Sequence, residues 1–315
     1  MQRNHLPVLL KESLSSLNVR PGGIYVDCTL GNGGHAEGIL IESSPDGRLI
    51  GIDRDPDAIP RVSERLHSFG SRALAVTGNF RNVEALVRGV GIEAVDGVLM
   101  DLGVSMIQLT DPSRGFSFVS DAPLDMRMNS SEPVPTAYDL VNHADRDQLR
   151  RILVEYGEEK RWGAIVNAIL RQREMRPIRT ARELAQLVEG ALPGARRYRI
   201  HPATRTFQAL RIAVNDELHA LKDGLEGAVN LLVPGGRVAV ISFHSLEDRI
   251  VKHYFRDMEK GCTCPDDFPV CACGKTPVLR RIQRKPVTPS AEEIERNPSA
   301  RSAKLRTAEA IQERE

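Results

Sequence analysis

The sequence predicts an α/β fold, a doubly wound and mostly parallel sheet interrupted by an inserted helical domain. Three observations carry that prediction. Over the first hundred residues, four short apolar runs (GIYVDCTL, GRLIGIDRD, ALAVTGNF and VDGVLMDLG) alternate with helical stretches. The alternation stops from Ser105 to about Asn215, where only helical patterns follow a polar loop. It then resumes with NDELHALKDGLEGAVNLLV, the turn Pro234-Gly235-Gly236 and the run RVAVISFH.

Each run is β-rich and bounded by Gly, Asp or Asn, which suits strands buried on both faces of a parallel sheet better than half-exposed hairpins. HAEGILIES supplies a crossover helix after the first run, and DAIPRVSERLHSFG supplies one after the second, stopping at Gly70. Crossovers of this kind place a ligand at the carboxyl ends of the strands. In the interruption, TDPSRGFSFVSDAPLDMRM reads as a loop, and DRDQLRRILVEYG, KRWGAIVNAILRQRE and RTARELAQLVEGAL read as helices. Thr180 and Glu183 have the spacing of a capping box, which starts the last of these. The expected domains are therefore 1–104 with 214–315, and an inserted helical domain over 105–213. The last thirty residues, including PSAEEIERNPSARSAKLRTAEA, read as loosely ordered.

At 315 residues and 41% hydrophobic, the chain is long enough for one large domain with an insertion. The start, MQRNHLPVLLKESL, has no apolar core bounded by small residues, so the expectation is a cytoplasmic protein without signal or anchor. A net charge of +1 conceals an uneven distribution: His143 to Arg211 holds fifteen Lys or Arg against eight Asp or Glu, and KTPVLRRIQRK (275–285) holds five basic residues and no acid. One such run is ordinarily a solvated helix face, but two on a nearly neutral chain favour a polyanionic partner.

YVDCTLGNGGHA (25–36) is the most informative stretch, and it can be parsed in two ways. As G-x-G-x-x-A through Gly31, Gly33 and Ala36, with Asp53 twenty residues after Gly33, it matches a dinucleotide fingerprint. As D-x-x-x-G-x-G, with Asp27 closing the strand, it matches the first motif of an S-adenosylmethionine site. Both need glycines so that backbone amides at a helix start approach a ligand. A carboxylate at Asp27 suits the cationic amino-acid part of S-adenosylmethionine and sits poorly beside a pyrophosphate. Asp53 after the second run fits a ribose in either case, and could alternatively be a helix cap. Asn79-Phe80 after the third run and Asp101 after the fourth could sandwich an adenine and bond its amino group.

HLPVLLKESL, TLGNGGHAEGIL, GIDRDPDAI, LMDLGVS, RGFSF, PLDMRM, HPATRTFQALRI, SFHSLEDRIVK and ERNPSARSAKLR together resemble the RsmH family, formerly MraW, from His5 to about Arg306. The resemblance implies a class I S-adenosylmethionine-dependent methyltransferase that modifies the exocyclic N4 of a cytidine in 16S rRNA of the 30S subunit. It implies cofactor contacts from Gly33, Gly34, His35, Asp53, Phe80, Asp101 and Gln108. At His35, the backbone amide is the expected contributor.

Many amino-group methyltransferases place Asp/Asn-Pro-Pro-Tyr after the fourth strand. Here the same place reads Asp101-Leu102-Gly103-Val104-Ser105, so the proton acceptor is open between Asp101 and Asp125. Arg196, Arg197, Arg199, Arg205, Arg211 and His244 are the candidate RNA contacts, whereas Phe207 at helical spacing reads as core. Cys262, Cys264, Cys271 and Cys273 resemble a metal cluster, but a single residue separates each pair where two to four are usual, so the expectation is no metal and reduced thiols. Cys28 reads as a buried, inert thiol. Oligomeric state, monomer or homodimer, is not legible.

Overall fold

The computed structural model describes residues 7–118, 121–192, 201–262, 264, 270 and 273–311. The chain divides into two compact units, Met1–Gly103 with Leu218–Glu315, and Val104–Glu217. The boundaries lie one and four residues from those read in the sequence.

In the first unit, β1 (Ile24–Asp27), β2 (Arg48–Asp53), β3 (Ala73–Thr77), β4 (Val95–Asp101), β5 (Leu232–Ser242), β6 (Leu279–Arg281) and β7 (Lys304–Ala310) form one sheet of order β3-β2-β1-β4-β5-β7-β6. β1 to β5 pair in parallel, and β7 runs antiparallel to both β5 and β6. The chain steps outward from β1 to β3 and then returns to lay β4 against the other side of β1. The order therefore reverses between β1 and β4, the switch point at which such sheets hold ligands. Successive residues point to opposite faces. Val26, Cys28, Ile50, Ile52, Val98 and Met100 join one core, and Tyr25, Leu49, Leu99, Ala239 and Ile241 join another. That two-sided burial is why the strands read as continuous apolar runs. It also pushes the Cys28 thiol upward in pKa, which keeps it from ionising.

The helices follow in chain order: α1 (Leu10–Leu17), α2 (Gly34–Glu42), α3 (Ala58–Arg65) and α4 (Val83–Gly89) in the first unit, then α5 (Met106–Thr110), α6 (Ala137–His143), α7 (Arg146–Arg151), α8 (Trp162–Met175), α9 (Ala181–Ala191) and α10 (Thr204–Asn215) in the second. α11 (Glu217–Leu231), α12 (Ser245–Lys260) and α13 (Ala291–Arg296) complete the chain. The second unit has its own apolar core, which includes Phe207. α9 starts with the expected capping box, Thr180 accepting from the Glu183 N–H at 3.2 Å. Asn215 on α10 fastens the loop PLDMRM, accepting from the Met128 N–H at 2.8 Å and donating to the Met126 carbonyl at 2.7 Å.

Two expectations need correction. Residues 286–311 are not loosely ordered, because α13 and β7 lie there and β7 is an interior strand of the sheet. KLRTAEA has a single large apolar residue, so its pattern is faint. Its burial comes from strands on both sides, and Leu305 and Ala308 are fully enclosed. The basic run 275–285 is carried on a strand and its flanks rather than on a helix face, with Lys275, Arg284 and Lys285 exposed and two of its five cations paired. It contains β6, where Arg281 Nε donates to Glu259 at 2.7 Å and Arg280 pairs with Glu309 at 2.5 Å. The turn at Pro234-Gly235-Gly236 is a bulge within β5, where the register jumps from Val95↔Leu232 to Gly97↔Arg237.

The burial of β7 makes Leu305→Ala a core truncation, with an expected loss of about 2–5 kcal/mol in denaturant unfolding. A loss within about 0.5 kcal/mol, typical of exposed sites, would show that the strand contributes little.

Candidate active site

Acids close the strands on both sides of the switch point. Asp27 ends β1, Asp53 ends β2 and Asp101 ends β4, which puts three carboxyl groups on adjacent strand ends. Asp27 is 1% exposed. Its Oδ1 accepts from the Thr29 N–H at 3.1 Å, while its sealed Oδ2 has no hydrogen-bond partner among the described residues. Burial raises the Asp27 pKa to about 7, against the Thr29 hydrogen bond, and the Asp53 charge adds to the rise. Asp101 is similar. Its Oδ1 is sealed and unpartnered among the described residues. Burial first, then the charges of Asp27 and Glu247, hold its pKa well above the usual carboxylate range. The side chain is nevertheless 25% accessible, so its second oxygen remains open. Thr29 couples the two strands, since its hydroxyl accepts from the Asp101 N–H at 2.7 Å.

Asp53 is occupied differently. Its Oδ2 accepts from the Gly31 N–H at 2.7 Å and its Oδ1 from the Asp55 N–H at 2.8 Å. It therefore braces the glycine loop and does not cap α3, whose N-cap is Asp57. Burial raises its pKa, and those two N–H groups oppose the rise. Gly33 is the N-cap of α2 at φ 74°, a left-handed conformation that costs little only for glycine. A Cβ there would also lie 2.9 Å from Val62 Cγ1. Gly34 opens α2 directly after it.

His35 contributes a side chain as well as an amide. It is buried, with Nε2 3.0 Å from the Val8 carbonyl and Nδ1 3.7 Å from Asp101 Oδ2. A carbonyl only accepts, so Nε2 carries hydrogen and Nδ1 is the atom turned toward Asp101. Phe80 follows β3, and α11 runs close beside it: a Cβ at Gly224 would lie 2.7 Å from the Phe80 ring. Gly224 is thus part of what positions the aromatic face.

The other described candidates are each held by partners within their own units. Gln108, in the second unit, is buried and caps α5, its Oε1 accepting from the Ser105 N–H at 3.1 Å. Asp125 is gripped by Arg127, with Nε to Oδ1 at 2.9 Å and Nη2 to Oδ2 at 2.8 Å. Burial would raise its pKa, but the bonds and charge of Arg127 together with Arg114 hold it below the ordinary value. Arg211 forms a fork with Glu217, both bonds at 2.8 Å, so little of it is available to a phosphate. Arg205 remains exposed, reaching the Glu158 carbonyl at 3.4 Å. Arg196, Arg197, Arg199 and Cys271 lie outside the described residues. His244 is the N-cap of α12 and accepts from the Glu247 N–H at 3.4 Å. The Glu247 carboxylate in turn takes the Phe243 N–H at 2.8 Å. Cys262, Cys264 and Cys273 form no disulfide among the described residues.

Sequence reading missed Thr29, Glu247 and Gly224. Glu247 had a signal: His244-Ser-Leu-Glu247 has the spacing of a capping box, with an unusual residue at its head. Thr29 and Gly224 had none, since each acts through a neighbour distant in sequence.

The sheet order, the antiparallel seventh strand and a ligand edge lined by orphaned carboxylate oxygens define a class I S-adenosylmethionine-dependent methyltransferase. Those oxygens fit the cofactor, whose sulfonium and ammonium are the cations such a site lacks, and they disfavour the pyrophosphate of a dinucleotide. The chain belongs to the MraW methylase family, whose model matches residues 2–311. It is 52% identical over 311 residues to the ribosomal RNA small subunit methyltransferase H of Carboxydothermus hydrogenoformans, covering 99% of each chain. It is 54% identical over 312 residues to the protein of the same name in Geobacter sulfurreducens, covering 99% of this chain and all of that one.

Because Asp27 has a raised pKa in the folded chain, the stability it contributes is complete below the ordinary 3.8 and is lost as pH rises through about 7. A cationic ligand favours the ionised form. Binding of S-adenosylmethionine below about pH 7 is therefore expected to release protons, and affinity to fall up to about tenfold per pH unit for each proton released. Calorimetry in buffers of different ionisation enthalpy reads this directly. Asp27→Asn removes one proton from the count, and an unchanged count in that variant would place the coupling elsewhere.

Proposed function

We propose that the protein methylates the exocyclic N4 of a cytidine in 16S rRNA within the small ribosomal subunit, in the cytoplasm. In a chain of this family, the observation that carries the reading is the pair of sealed, unpartnered carboxylate oxygens on Asp27 and Asp101. Bound S-adenosylmethionine supplies an electrophilic methyl group. Around it, the amides of Gly33, Gly34 and His35 face the amino-acid end, Asp53 the ribose, and Phe80 with Asp101 the adenine. Gln108 is the least available of the family's set, since its amide already caps α5.

The lone pair of a cytosine amino group is delocalised into the ring, which makes it a weak nucleophile. Alignment by the protein then supplies much of the rate, on the order of 7–11 kcal/mol in well-oriented systems. The amine must also give up a proton. Asp101 is the better candidate: its raised pKa favours taking up a proton, a cationic cofactor keeps it ionised beforehand, and it can act if the adenine leaves one of its oxygens open, whereas Asp125 is committed to Arg127. Of the arginines proposed for phosphate contact, Arg205 is exposed and can serve with Arg196, Arg197 and Arg199, while Arg211 is paired with Glu217.

The direct experiment supplies labelled methyl donor and 30S subunits from cells lacking the protein, then digests the RNA to nucleosides. Label is expected in N4-methylcytidine, and label in another nucleoside, or on neither subunits nor naked 16S rRNA, would overturn the reading. With cofactor saturating, Asp101→Asn should slow single-turnover transfer by roughly 10²–10⁴-fold and Asp125→Asn by far less. Equal losses would remove the distinction between them.

A further inference from the structure

The loop between α12 and β6 gathers three thiols. α12 stops at Gly261, which adopts φ 67° and returns its N–H to the Asp257 carbonyl at 2.9 Å. Cys262 follows, its N–H on the Lys260 carbonyl at 2.8 Å. On the return, Val278 donates to the Met258 carbonyl at 3.0 Å, so the chain re-enters alongside the helix it left. Both ends of the loop are thereby fixed by backbone hydrogen bonds, and Cys273 is carried back against Cys262.

The Sγ atoms of Cys262, Cys264 and Cys273 all lie within 4.8 Å of one another, and Cys273 Sγ is 3.7 Å from Cys262 Sγ. A disulfide needs about 2.05 Å, so that pair is not bonded. Two thiolates on one tetrahedral zinc, each about 2.3 Å from the ion, stand about 3.8 Å apart. The observed Cys262–Cys273 spacing matches the edge of a zinc–thiolate tetrahedron. One residue separates Cys262 from Cys264, which strains a chelate made by that pair alone. The fold answers it by bringing Cys273 in from across the loop, so that the principal pair is long-range.

We infer that Cys262, Cys264 and Cys273 form a structural zinc site that closes the loop between α12 and β6. Thiolates select soft or borderline ions, and zinc is the ion of this geometry that needs no redox chemistry. Binding replaces the thiol protons by the metal, so zinc is held more tightly as pH rises. Three ligands come from the described residues. The site has no part in methyl transfer. Its expected contribution is to hold the turn at the end of α12 against β6, the edge strand that abuts β7.

The test uses the full-length protein, purified without chelator or histidine tag. Elemental analysis is expected to find about one zinc per chain, and treatment with a chelator to lower the melting temperature. Reduced, metal-free protein should take up one equivalent of cobalt(II) with the thiolate-to-cobalt absorption of a tetrahedral site. The combined Cys262→Ser, Cys264→Ser and Cys273→Ser variant should lose both metals while still binding S-adenosylmethionine. If that variant does not fold, the cobalt titration of the parent protein decides. Absence of zinc together with absence of thiolate-to-cobalt absorption would overturn the inference. So would a variant that keeps the zinc, or a Cys262–Cys273 disulfide that survives cytosolic glutathione.

Discussion

Like charges gathered at the carboxyl edge of a parallel sheet are the constraint around which the first unit is arranged. Asp27 and Asp101 close neighbouring strands, each with one oxygen shut away from water and left unpartnered among the described residues. Burying a carboxylate that way is costly, and the chain holds the pair near neutrality by raising both pKa values. The arrangement leaves the edge short of positive charge. A cationic cofactor makes up that deficit, which gives the site its preference for a sulfonium and ammonium over a phosphate. Thr29 meets part of that deficit, its N–H donating to Asp27 and its hydroxyl accepting from the Asp101 N–H, whereas the charge of Glu247 adds to it.

The other residues proposed for the cofactor depend on the same edge. Asp53 spends hydrogen-bonding capacity on the Gly31 and Asp55 amides, so the acid expected at the ribose also sets the shape of the glycine loop. His35 is locked by Val8 and presents its other nitrogen to Asp101. One substitution at this edge therefore changes loop geometry and charge together, which is why pH and binding measurements separate these roles better than loss of activity does.

Arginine in the second unit serves two purposes. Arg127 and Arg211 are forked onto carboxylates and belong to the architecture. Arg205 stays in solvent. The first unit repeats the lesson at the basic run 275–285, where Arg280 and Arg281 are paired with glutamates from other elements. Counting charges along the chain gives the sign of a segment, but phosphate recognition depends on which cations their neighbours leave unpaired.

The sequence alone determined the parallel strands, the helical interruption, the capping box at Thr180 and the acids at three strand ends. All are local: a buried strand announces itself by a continuous apolar run, a helix start by a spacing of three residues, and a strand-end acid by its position after the run. Tertiary structure decided the rest. KLRTAEA became an interior strand because β5 and β6 flank it, although its own residues are small and mixed. Asp125 and Arg211 acquired partners, Arg127 and Glu217, that composition could not assign. Cys262 met Cys273 because α12 and β6 return the chain alongside itself. Each of these outcomes depends on a contact between residues far apart in the fold or on the orientation of a side chain, and neither leaves a periodic mark in the sequence.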